Sequence, residues 1–425
     1  MAEILPIKGF RYNSRLPFSI DALTSPLFDV VSIKQRQSLY RNAYNSIHLS
    51  VPPGPTPAES ARRTVEHWKR AQILLQDPLP GIYVYYQYFR LPGSDKEYVR
   101  KGFMCHIKAY AWEEGVVLRH ENTIPAAVND RIELLEHTKL QTSATHGLFA
   151  DPDFTLEQYM DESITSPLYE SEDYQGVRDV LSVIHDAAVI QKFVDHLQDQ
   201  QVLLADGHHR YEGSLAYRKK MLAENPAATG DEAFNYHLMY LTNADADDLR
   251  ILPTHRLLES LPVSKEKFFT SLETYFTVKP IEDSYSLADV IVGKKWAFGL
   301  YVDGQAYKII LMPEVHEQLN WPVPQEVKDL DLTVLHYFVF ERLLDIPQEE
   351  QRAYAGLSYI RSLAECLNKV DGGQAQVAFI TNEVKMQEVR KVCASGAVMP
   401  QKSTFFYPKV ICGFLFSSIE ENEFR

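Results

Sequence analysis

One short segment of this sequence concentrates the side chains that could do chemistry. It follows the apolar run Val202–Ala205 and reads Asp206-Gly207-His208-His209-Arg210-Tyr211-Glu212. Such a polar cluster is costly to bury without partners. The pattern predicts a strand, a glycine turn and the first turn of a helix, whose N–H groups and partial positive charge attract anions. Because Arg210 adds donors that match phosphate or carboxylate, we predict an anion site here.

The residue types suggest separate roles within this segment. Asp206 can hold Mg²⁺ or take a proton, and a histidine can exchange a proton with a ligand oxygen. In a helix His208 and Glu212 share one face, whereas His209 points about 100° away from His208. The structural alternative is that Asp206 caps the helix, the histidines are satisfied surface residues, and Arg210 pairs with a carboxylate.

A second polar segment, Arg119-His120-Glu121-Asn122-Thr123, precedes a helix that is expected to begin at Pro125. Glu121 is the candidate general base or second metal ligand, because activation of a hydroxyl nucleophile needs a nearby acceptor. His120 and Thr123 are candidate ligand-binding residues. The alternative is that Thr123 caps the helix and the charges are solvated.

Two further segments carry candidate phosphate ligands. His255 and Arg256 either complete the anion site or anchor a loop through a salt bridge. Lys402-Ser403-Thr404 and Lys409 offer two ammonium groups and two hydroxyls to phosphate oxygens and Mg²⁺, or simply form the polar start of a strand. The glycine-rich Walker pattern is absent, so these lysines do not belong to a P-loop.

The elements that position these residues alternate between strand and helix signals. Aromatic-rich runs at 83–89 and 101–107 predict a β-hairpin, and a second hairpin is predicted at 296–302 and 306–311. Helices are expected at 34–45, 58–76, 125–137, 189–197 and 208–222, with strands at 201–205 and 236–241. The sequence therefore predicts a multi-lobed, mixed α/β (α+β) enzyme-like chain without internal repeats.

Length and charge narrow the class of protein. A chain of 425 residues suits two or three lobes, which we place at 1–150, 151–260 and 261–425. The net charge of −14 disfavours a nucleic-acid partner, which needs clustered Lys and Arg. Four scattered cysteines indicate neither a zinc site nor a disulfide framework. Without an apolar leader or a run of roughly 18 apolar residues, we expect no membrane association and a cytoplasmic location.

The Asp206–Glu212 segment resembles the hallmark of a bacterial and archaeal family catalogued as domain of unknown function ten-fifteen. Matching pieces occur in order from residue 28 to residue 409: Phe28-Asp29-Val30-Val31, Arg119–Thr123 with Asp130-Arg131, Leu252–Arg256 and Met399–Lys409. The resemblance adds Arg131 to the candidate ligand-binding residues. Gly213 departs from it, since the family usually has threonine or alanine there.

More distantly, the short motif resembles the strand-turn-helix of the ParB and sulfiredoxin superfamily. That resemblance implies a ParB/sulfiredoxin-like core that binds CTP, ATP or ADP, and its members include a free-serine kinase. Relatives encoded beside phosphoserine biosynthesis genes imply a setting in serine metabolism.

We therefore expect a Mg²⁺-dependent phosphotransferase that uses a nucleotide (ATP or ADP) and a small hydroxylated metabolite, with serine first. Its partner would be a small phosphorylated metabolite or nucleotide. Asp206, His208, His209 and Arg210 would hold phosphates and metal, and Glu121 would activate the hydroxyl. Lys402 and Lys409 would neutralise charge. The alternatives are a phosphoserine-type phosphatase, a non-catalytic nucleotide-binding switch and a structural protein; the sequence leaves the oligomeric state open.

Overall fold

The computed structural model describes residues 2–352 and 354–424. The chain divides into two compact units. Unit 1 contains residues 1–119, 123–249 and 408–425, and unit 2 contains residues 120–122 and 250–407. Each unit is therefore assembled from segments that are distant in the sequence.

Unit 1 is built on a nine-stranded mixed sheet. In chain order its strands are β1 (Ile4–Leu5), β2 (Ile82–Arg90), β3 (Glu97–Lys108), β4 (Val117–Leu118), β5 (Thr145–Phe149), β6 (Tyr169–Glu172), β7 (Arg178–Ile184), β8 (Val202–Asp206) and β9 (Tyr236–Asn243). Across the sheet the order is β4-β8-β5-β9-β3-β2-β7-β6, and β1 pairs with β3. Most pairs are antiparallel, but β8 is parallel to β4 and β9 is parallel to β5.

Four long helices complete unit 1: α1 (Pro57–Arg70), α2 (Pro125–Thr138), α3 (Ala187–Gln198) and α4 (His208–Glu224). One core packs α3 against β2, β3, β8 and β9, with Phe193, Leu197, Phe103 and Leu204 fully buried. Another core on unit 1 joins Tyr83, Tyr85 and Tyr240 to Phe414 and Leu415 of the C-terminal segment. That segment is therefore part of the fold and lies against the central strands.

Short elements make up the rest of unit 1. Its short helices are Ile20–Leu23, Ile33–Leu39, Ile47–Ser50, Trp112–Glu114, Glu157–Ser163, Ala233–Asn235 and Glu421–Phe424. Two-stranded ribbons join Phe10–Tyr12 to Leu74–Gln76 and Leu140–Gln141 to Ser417–Ser418.

Unit 2 has a six-stranded sheet. Its strands are β10 (His255–Leu258), β11 (Phe276–Ile281), β12 (Ala297–Val302), β13 (Gln305–Leu311), β14 (Leu357–Ile360) and β15 (Val377–Ile380), in the order β11-β13-β12-β15-β10-β14. A ribbon pairs Arg250–Ile251 with Phe406–Tyr407. The apolar segment Leu335–Leu343, a π-helix, packs in the main core with Phe298, Leu300 and Phe379.

The remaining helices of unit 2 are mostly short. They are α5 (Lys265–Leu272), α6 (Leu363–Asp371) and α7 (Met386–Ala394), together with Ser284–Ser286, Leu287–Ile291, Pro313–Gln318, Gln325–Lys328, Asp331–Val334 and Gln348–Gln351.

The predicted mixed α/β class is confirmed, as are both predicted hairpins. The predicted helices at 34–45 and 58–76 were too long, since the helices end at Leu39 and Arg70 and a strand begins at Leu74. The two units do not coincide with the three predicted lobes, because strands from 1–150 and 151–260 share the nine-stranded sheet. Across the described residues, no helix has the length and apolar character needed to cross a bilayer.

Candidate functional site

The turn between β8 and α4 is shaped by Gly207. Its φ of +91° lies in the left-handed region that favours glycine. A Cβ at this position would lie 2.7 Å from Thr145 Cγ2 and 2.8 Å from Arg210 Nη2. Both the backbone conformation and the close packing therefore require glycine. The predicted strand, turn and helix are confirmed, with β8 ending at Asp206 and α4 beginning at His208.

Asp206 lies between two cations of unit 1. Its Oδ2 accepts a hydrogen bond from Arg210 Nη2 at 2.9 Å, and its Oδ1 accepts one from Lys409 Nζ. The side chains of Asp206, Arg210 and Lys409 are only 14%, 9% and 17% exposed. Burial by itself raises the pKa of Asp206, but Lys409 and Arg210 outweigh it and hold that pKa well below its ordinary range. Asp206 is therefore a carboxylate at neutral pH.

Arg210 is fixed from a second side as well. Its Nη1 donates to the Ala144 carbonyl at 2.6 Å and to Ser143 Oγ at 3.1 Å. The segment before β5 thus holds the guanidinium in the orientation that faces Asp206. A rigid fork of this kind is suited to a planar carboxylate or a phosphate.

Lys409 also connects Asp206 to a buried polar network that the sequence analysis missed. The Lys409 carbonyl accepts from Gln87 Nε2 at 3.0 Å, and the same Nε2 donates to Asp179 Oδ1 at 2.8 Å. The neighbouring Pro408 carbonyl accepts from Arg100 Nη2, which also donates to Gln87 Oε1. In the sheet, Gln87 of β2 is paired with Arg100 of β3 on one side and with Asp179 of β7 on the other.

Several atoms of this network have no partner within the described part of the chain. Arg100 Nε, Arg100 Nη1 and Asp179 Oδ2 are buried and make no hydrogen bond there. Burial raises the pKa of Asp179 to about 7, despite hydrogen bonds from Tyr85 and Gln87 that favour its charged form. A charged residue inside a largely apolar strand is the sequence signal that could have identified Arg100 and Asp179 as members of the site.

The charges of this buried region do not balance. Three cations, Arg100, Arg210 and Lys409, are accompanied by the carboxylates of Asp206 and Asp179. His146, paired with Asp206 in the sheet, adds no positive charge, because burial and the nearby Arg100 lower its pKa well below the ordinary value. The region therefore carries an excess of positive charge, which favours an anionic ligand.

Most of the other predicted site residues of unit 1 make contacts within the protein. His209 Nε2 accepts from the Ile124 N–H at 2.9 Å, and Glu212 accepts from Trp112 Nε1 at 2.6 Å. His208 is buried. Arg131 donates to the Ser50 carbonyl at 3.0 Å and lies over the Phe28 ring.

Two expectations about individual positions are corrected or explained. Thr123 does not cap α2: the N-cap is Ile124, which has no side-chain cap, and Pro125 opens the helix as expected. At Gly213 a Cβ would lie 3.3 Å from Arg131 Cβ, so the missing side chain lets α4 approach α2 closely.

Unit 2 gathers a separate set of predicted residues. His120 is buried, its Nε2 lies 2.7 Å from Thr404 Oγ1, and its carbonyl accepts from the Met399 N–H at 2.8 Å. Glu121 Oε1 lies 3.5 Å from the Lys402 N–H, and the Lys402 side chain is exposed. Ser403 is buried and donates to the Pro400 carbonyl. Residues 120–122 are thus held against the 399–404 segment.

Arg256 is fully buried in unit 2 and is surrounded mainly by backbone oxygens. It donates to the carbonyls of Thr254, Gln401 and Lys402, and its Nε lies 3.3 Å from His336 Nε2. Burial lowers the pKa of Arg256 to about 10 and that of His255 to about 4. His255 Nδ1 accepts from the Thr381 N–H at 3.2 Å. Arg256 thus anchors the 401–402 segment through backbone carbonyls, and not through the surface salt bridge of the structural alternative.

Comparison with known families decides the wider relationship. The sequence model of the family described as "Protein of unknown function (DUF1015)" matches residues 4–333. The chain belongs to this family.

Solved structures that are similar to this DUF1015 chain include three proteins with different descriptions. A conserved hypothetical protein from Pyrococcus furiosus is 14% identical, with a TM-score of 0.36, over 72% of this chain and 92% of that one. A free serine kinase in complex with AMP is 14% identical, with a TM-score of 0.39, over 79% and 99%. SbnI with a C-terminal truncation, from Staphylococcus aureus, is 10% identical, with a TM-score of 0.34, over 74% and 82%. No curated protein matches the sequence.

The metal role predicted for Asp206 stays a prediction for this DUF1015 chain. Its two carboxylate oxygens accept hydrogen bonds from Arg210 and Lys409, and cations at both oxygens oppose the approach of Mg²⁺. Within residues 2–352 and 354–424, no group of three or more His, Cys, Asp or Glu side chains is arranged to hold a metal.

Proposed function

We propose that this protein is a phosphotransferase that moves a phosphoryl group between a nucleotide and a small hydroxylated metabolite, with serine as the first acceptor to test. The observation that supports it is the positive excess of Arg100, Arg210 and Lys409 over Asp206 and Asp179 in unit 1. Phosphoryl transfer depends mainly on positioning and charge compensation, so a rigid set of cations is its main requirement.

Arg210 and Lys409 would act as the phosphate ligands. Arg210 is held by Ala144, Ser143 and Asp206, and Lys409 is held through both its side chain and its carbonyl. Neither group needs to be ordered when the ligand binds, which reduces the entropic cost of binding. An incoming phosphate would compete with Asp206 for the same donors, so Asp206 would tune the affinity.

We propose a ParB/sulfiredoxin-like role for the strand, turn and helix around Gly207, in which the first turn of α4 faces the phosphates. The role of Glu121 as the base that takes the hydroxyl proton stays a prediction, as do the ligand roles of His208, Lys402 and Thr404. For His209, Glu212 and Arg131 the internal hydrogen bonds favour positioning roles.

One specific observation favours the structural alternative. Arg210 and Lys409 each donate to Asp206, so the three charges are paired within the protein, as in a purely architectural network. A phosphatase would use the same cations with water in place of the alcohol, so only product analysis separates it from a kinase.

The test combines binding with product detection. Thermal shifts are measured with ATP, ADP, CTP, serine and phosphoserine, each with and without Mg²⁺, and products are then followed by ³¹P NMR. A ligand at about 100 times its Kd should stabilise the protein by about 2.7 kcal/mol. Formation of phosphoserine from serine and a nucleotide supports a kinase, and release of inorganic phosphate from phosphoserine alone supports a phosphatase. If no ligand raises the melting temperature and no product forms, the polar network is interpreted as purely structural.

The Glu121→Gln variant tests the proposed base. It should lower kcat by at least about 100-fold while leaving nucleotide binding unchanged, since general bases typically contribute 10²–10⁴-fold. The Glu113→Gln variant, which changes an exposed glutamate of the 3₁₀ helix Trp112–Glu114, is the matched control.

A further inference from the structure

Unit 2 contains a pocket for which the proposed function names no ligand, although Glu121, the proposed base, is one of its lining residues. Its volume is about 340 Å³, within the range of small-molecule sites, and all of its lining residues belong to unit 2. One wall is apolar and is formed by Trp321, Val323, Val327 and Met399. The polar residues that line the pocket include Glu121, Arg352, Tyr359 and Gln401. The Met399–Gln401 part of the C-terminal motif thus lines a cavity.

Two polar atoms of these lining residues are buried without an internal partner. Among residues 2–352 and 354–424, Tyr359 Oη and Gln401 Oε1 make no hydrogen bond. Buried polar atoms in native proteins are nearly always bonded, because leaving one unsatisfied costs about 1–3 kcal/mol. A hydroxyl and a carboxamide oxygen beside a cavity are therefore a donor and an acceptor suited to a ligand.

Arg352 supplies the charged group of the pocket. One N–H of its Nη2 donates to the Asn122 carbonyl at 2.8 Å, and a guanidinium has four further donors. The fully buried Arg256 lies 5.4 Å from the centre of the Tyr359 ring. His336 adds no charge, because burial lowers its pKa to about 3. Glu121 is the carboxylate among the described lining residues, and Glu341 accepts from the lining Trp321 Nε1 at 2.8 Å. Arg352 is therefore the group of the pocket that would hold an acidic ligand.

We propose that this pocket binds a small carboxylic acid with a hydroxyl or amino group beside the carboxylate and an apolar side chain. The carboxylate would accept hydrogen bonds from Arg352 and the Tyr359 hydroxyl, and the hydroxyl or amino group would donate to Gln401 Oε1. The apolar side chain would lie against Trp321 and Met399. Serine lacks the apolar part and would leave that wall uncovered.

This inference depends on the unit 2 pocket alone and holds whether or not the protein transfers phosphate. It is tested by calorimetric titration of the full chain without nucleotide, so its failure is distinct from failure of the phosphotransferase proposal. The probes are 3-phenyllactate, L-phenylalanine and L-leucine. Phenethylamine, which lacks the carboxylate, and L-serine, which lacks the apolar side chain, are the comparison compounds.

At least one of the three acids should bind, and at least tenfold more tightly than phenethylamine or L-serine. Arg352→Gln and Tyr359→Phe should each weaken that acid at least tenfold, because each removes a donor and Tyr359→Phe keeps the ring. Lys391→Gln, an exposed residue of α7, should leave the affinity unchanged. The inference is overturned if no acid binds, if phenethylamine binds as tightly, or if neither pocket variant weakens binding.

Discussion

The two His-Arg pairs of this protein are alike in sequence and opposite in structure. In unit 1, Arg210 faces a carboxylate and shares it with Lys409, and all three side chains retain some exposure. In unit 2, Arg256 has no exposure and is held by three carbonyls and a neutral histidine. The first arrangement pairs the arginine with a carboxylate that a lysine shares, whereas the second fastens a turn.

The difference shows that the surroundings, and not the residue type, decide whether an arginine pairs with carboxylate or fastens a turn. Under the proposed function a phosphate would compete with Asp206 for Arg210 and Lys409, because the phosphate and the carboxylate carry charge of the same sign. No anion can replace the backbone carbonyls around Arg256 without moving the chain.

Arg256→Met should give the largest loss of stability. It leaves the carbonyls of Thr254, Gln401 and Lys402 without their buried donor, which we expect to cost about 3–5 kcal/mol. Urea unfolding followed by a probe in unit 2 measures it. Lys391→Met, on an exposed position of α7, should change stability by less than about 0.5 kcal/mol. Equal effects of the two substitutions would show that Arg256 is not an anchor.

Asp206→Asn should destabilise unit 1 by a smaller amount, about 2–3 kcal/mol at pH 7, because it leaves Lys409 and Arg210 without their shared carboxylate. The pKa of Asp206 is lowered in the folded protein, so its contribution is present above about pH 4 and is lost as pH falls below that value. The variant should therefore lose less stability on acidification than the wild type.

The affinity of Asp206→Asn for inorganic phosphate should rise, because the ligand no longer competes with a carboxylate. A fall in that affinity would contradict the competition between Asp206 and the ligand.

Asp179→Asn should change the pH dependence of stability in the opposite direction. The pKa of Asp179 is raised to about 7 in the folded protein, so its favourable contribution is complete below about pH 4 and is lost as pH rises towards 7. Replacement by asparagine should flatten the stability profile between those values. The free energy of unfolding, measured in urea at pH 5, 6 and 7, checks this; an unchanged slope would mean that Asp179 is ionised throughout.

Gly213→Ala should have the smallest effect, a net change below about 1 kcal/mol. Alanine favours the helix by roughly that amount, but its Cβ would lie 3.3 Å from Arg131 Cβ and offset the gain. Thermal unfolding measures the sum. A loss above about 2 kcal/mol would show that the contact between α4 and α2 cannot relax.

Local patterns allowed much of the fold to be predicted. Alternating aromatic residues gave the hairpin of β2 and β3, and the apolar run followed by glycine gave β8, the turn and α4 within a few residues. The strands β5 and β7 were not predicted, because β7 follows an acidic stretch and β5 is short and rich in small or polar residues. The two-unit division was not predicted either, since it depends on strand pairing between distant segments.

The candidate site was predictable only in part, for the same reason. The motif gave Asp206 and Arg210, and the C-terminal resemblance gave Lys409, but nothing local indicated that Lys409 pairs with Asp206, 203 residues away. Arg100, Gln87 and Asp179 come together only through the registers of β3, β2 and β7. A single polar residue inside a strand does not show which residues of other strands lie beside it until the strand pairing is known.

We propose that the cations around Asp206 bind the phosphates of a nucleotide, and a calorimetric comparison of three proteins tests this proposal. ATP and ADP are titrated into the wild type, Lys409→Met and Lys220→Met, the last removing an exposed lysine of α4 that pairs with Glu136. We predict that the wild type and Lys220→Met bind alike and that Lys409→Met binds at least tenfold more weakly. Equal binding to all three proteins, or no binding to the wild type, would contradict the account.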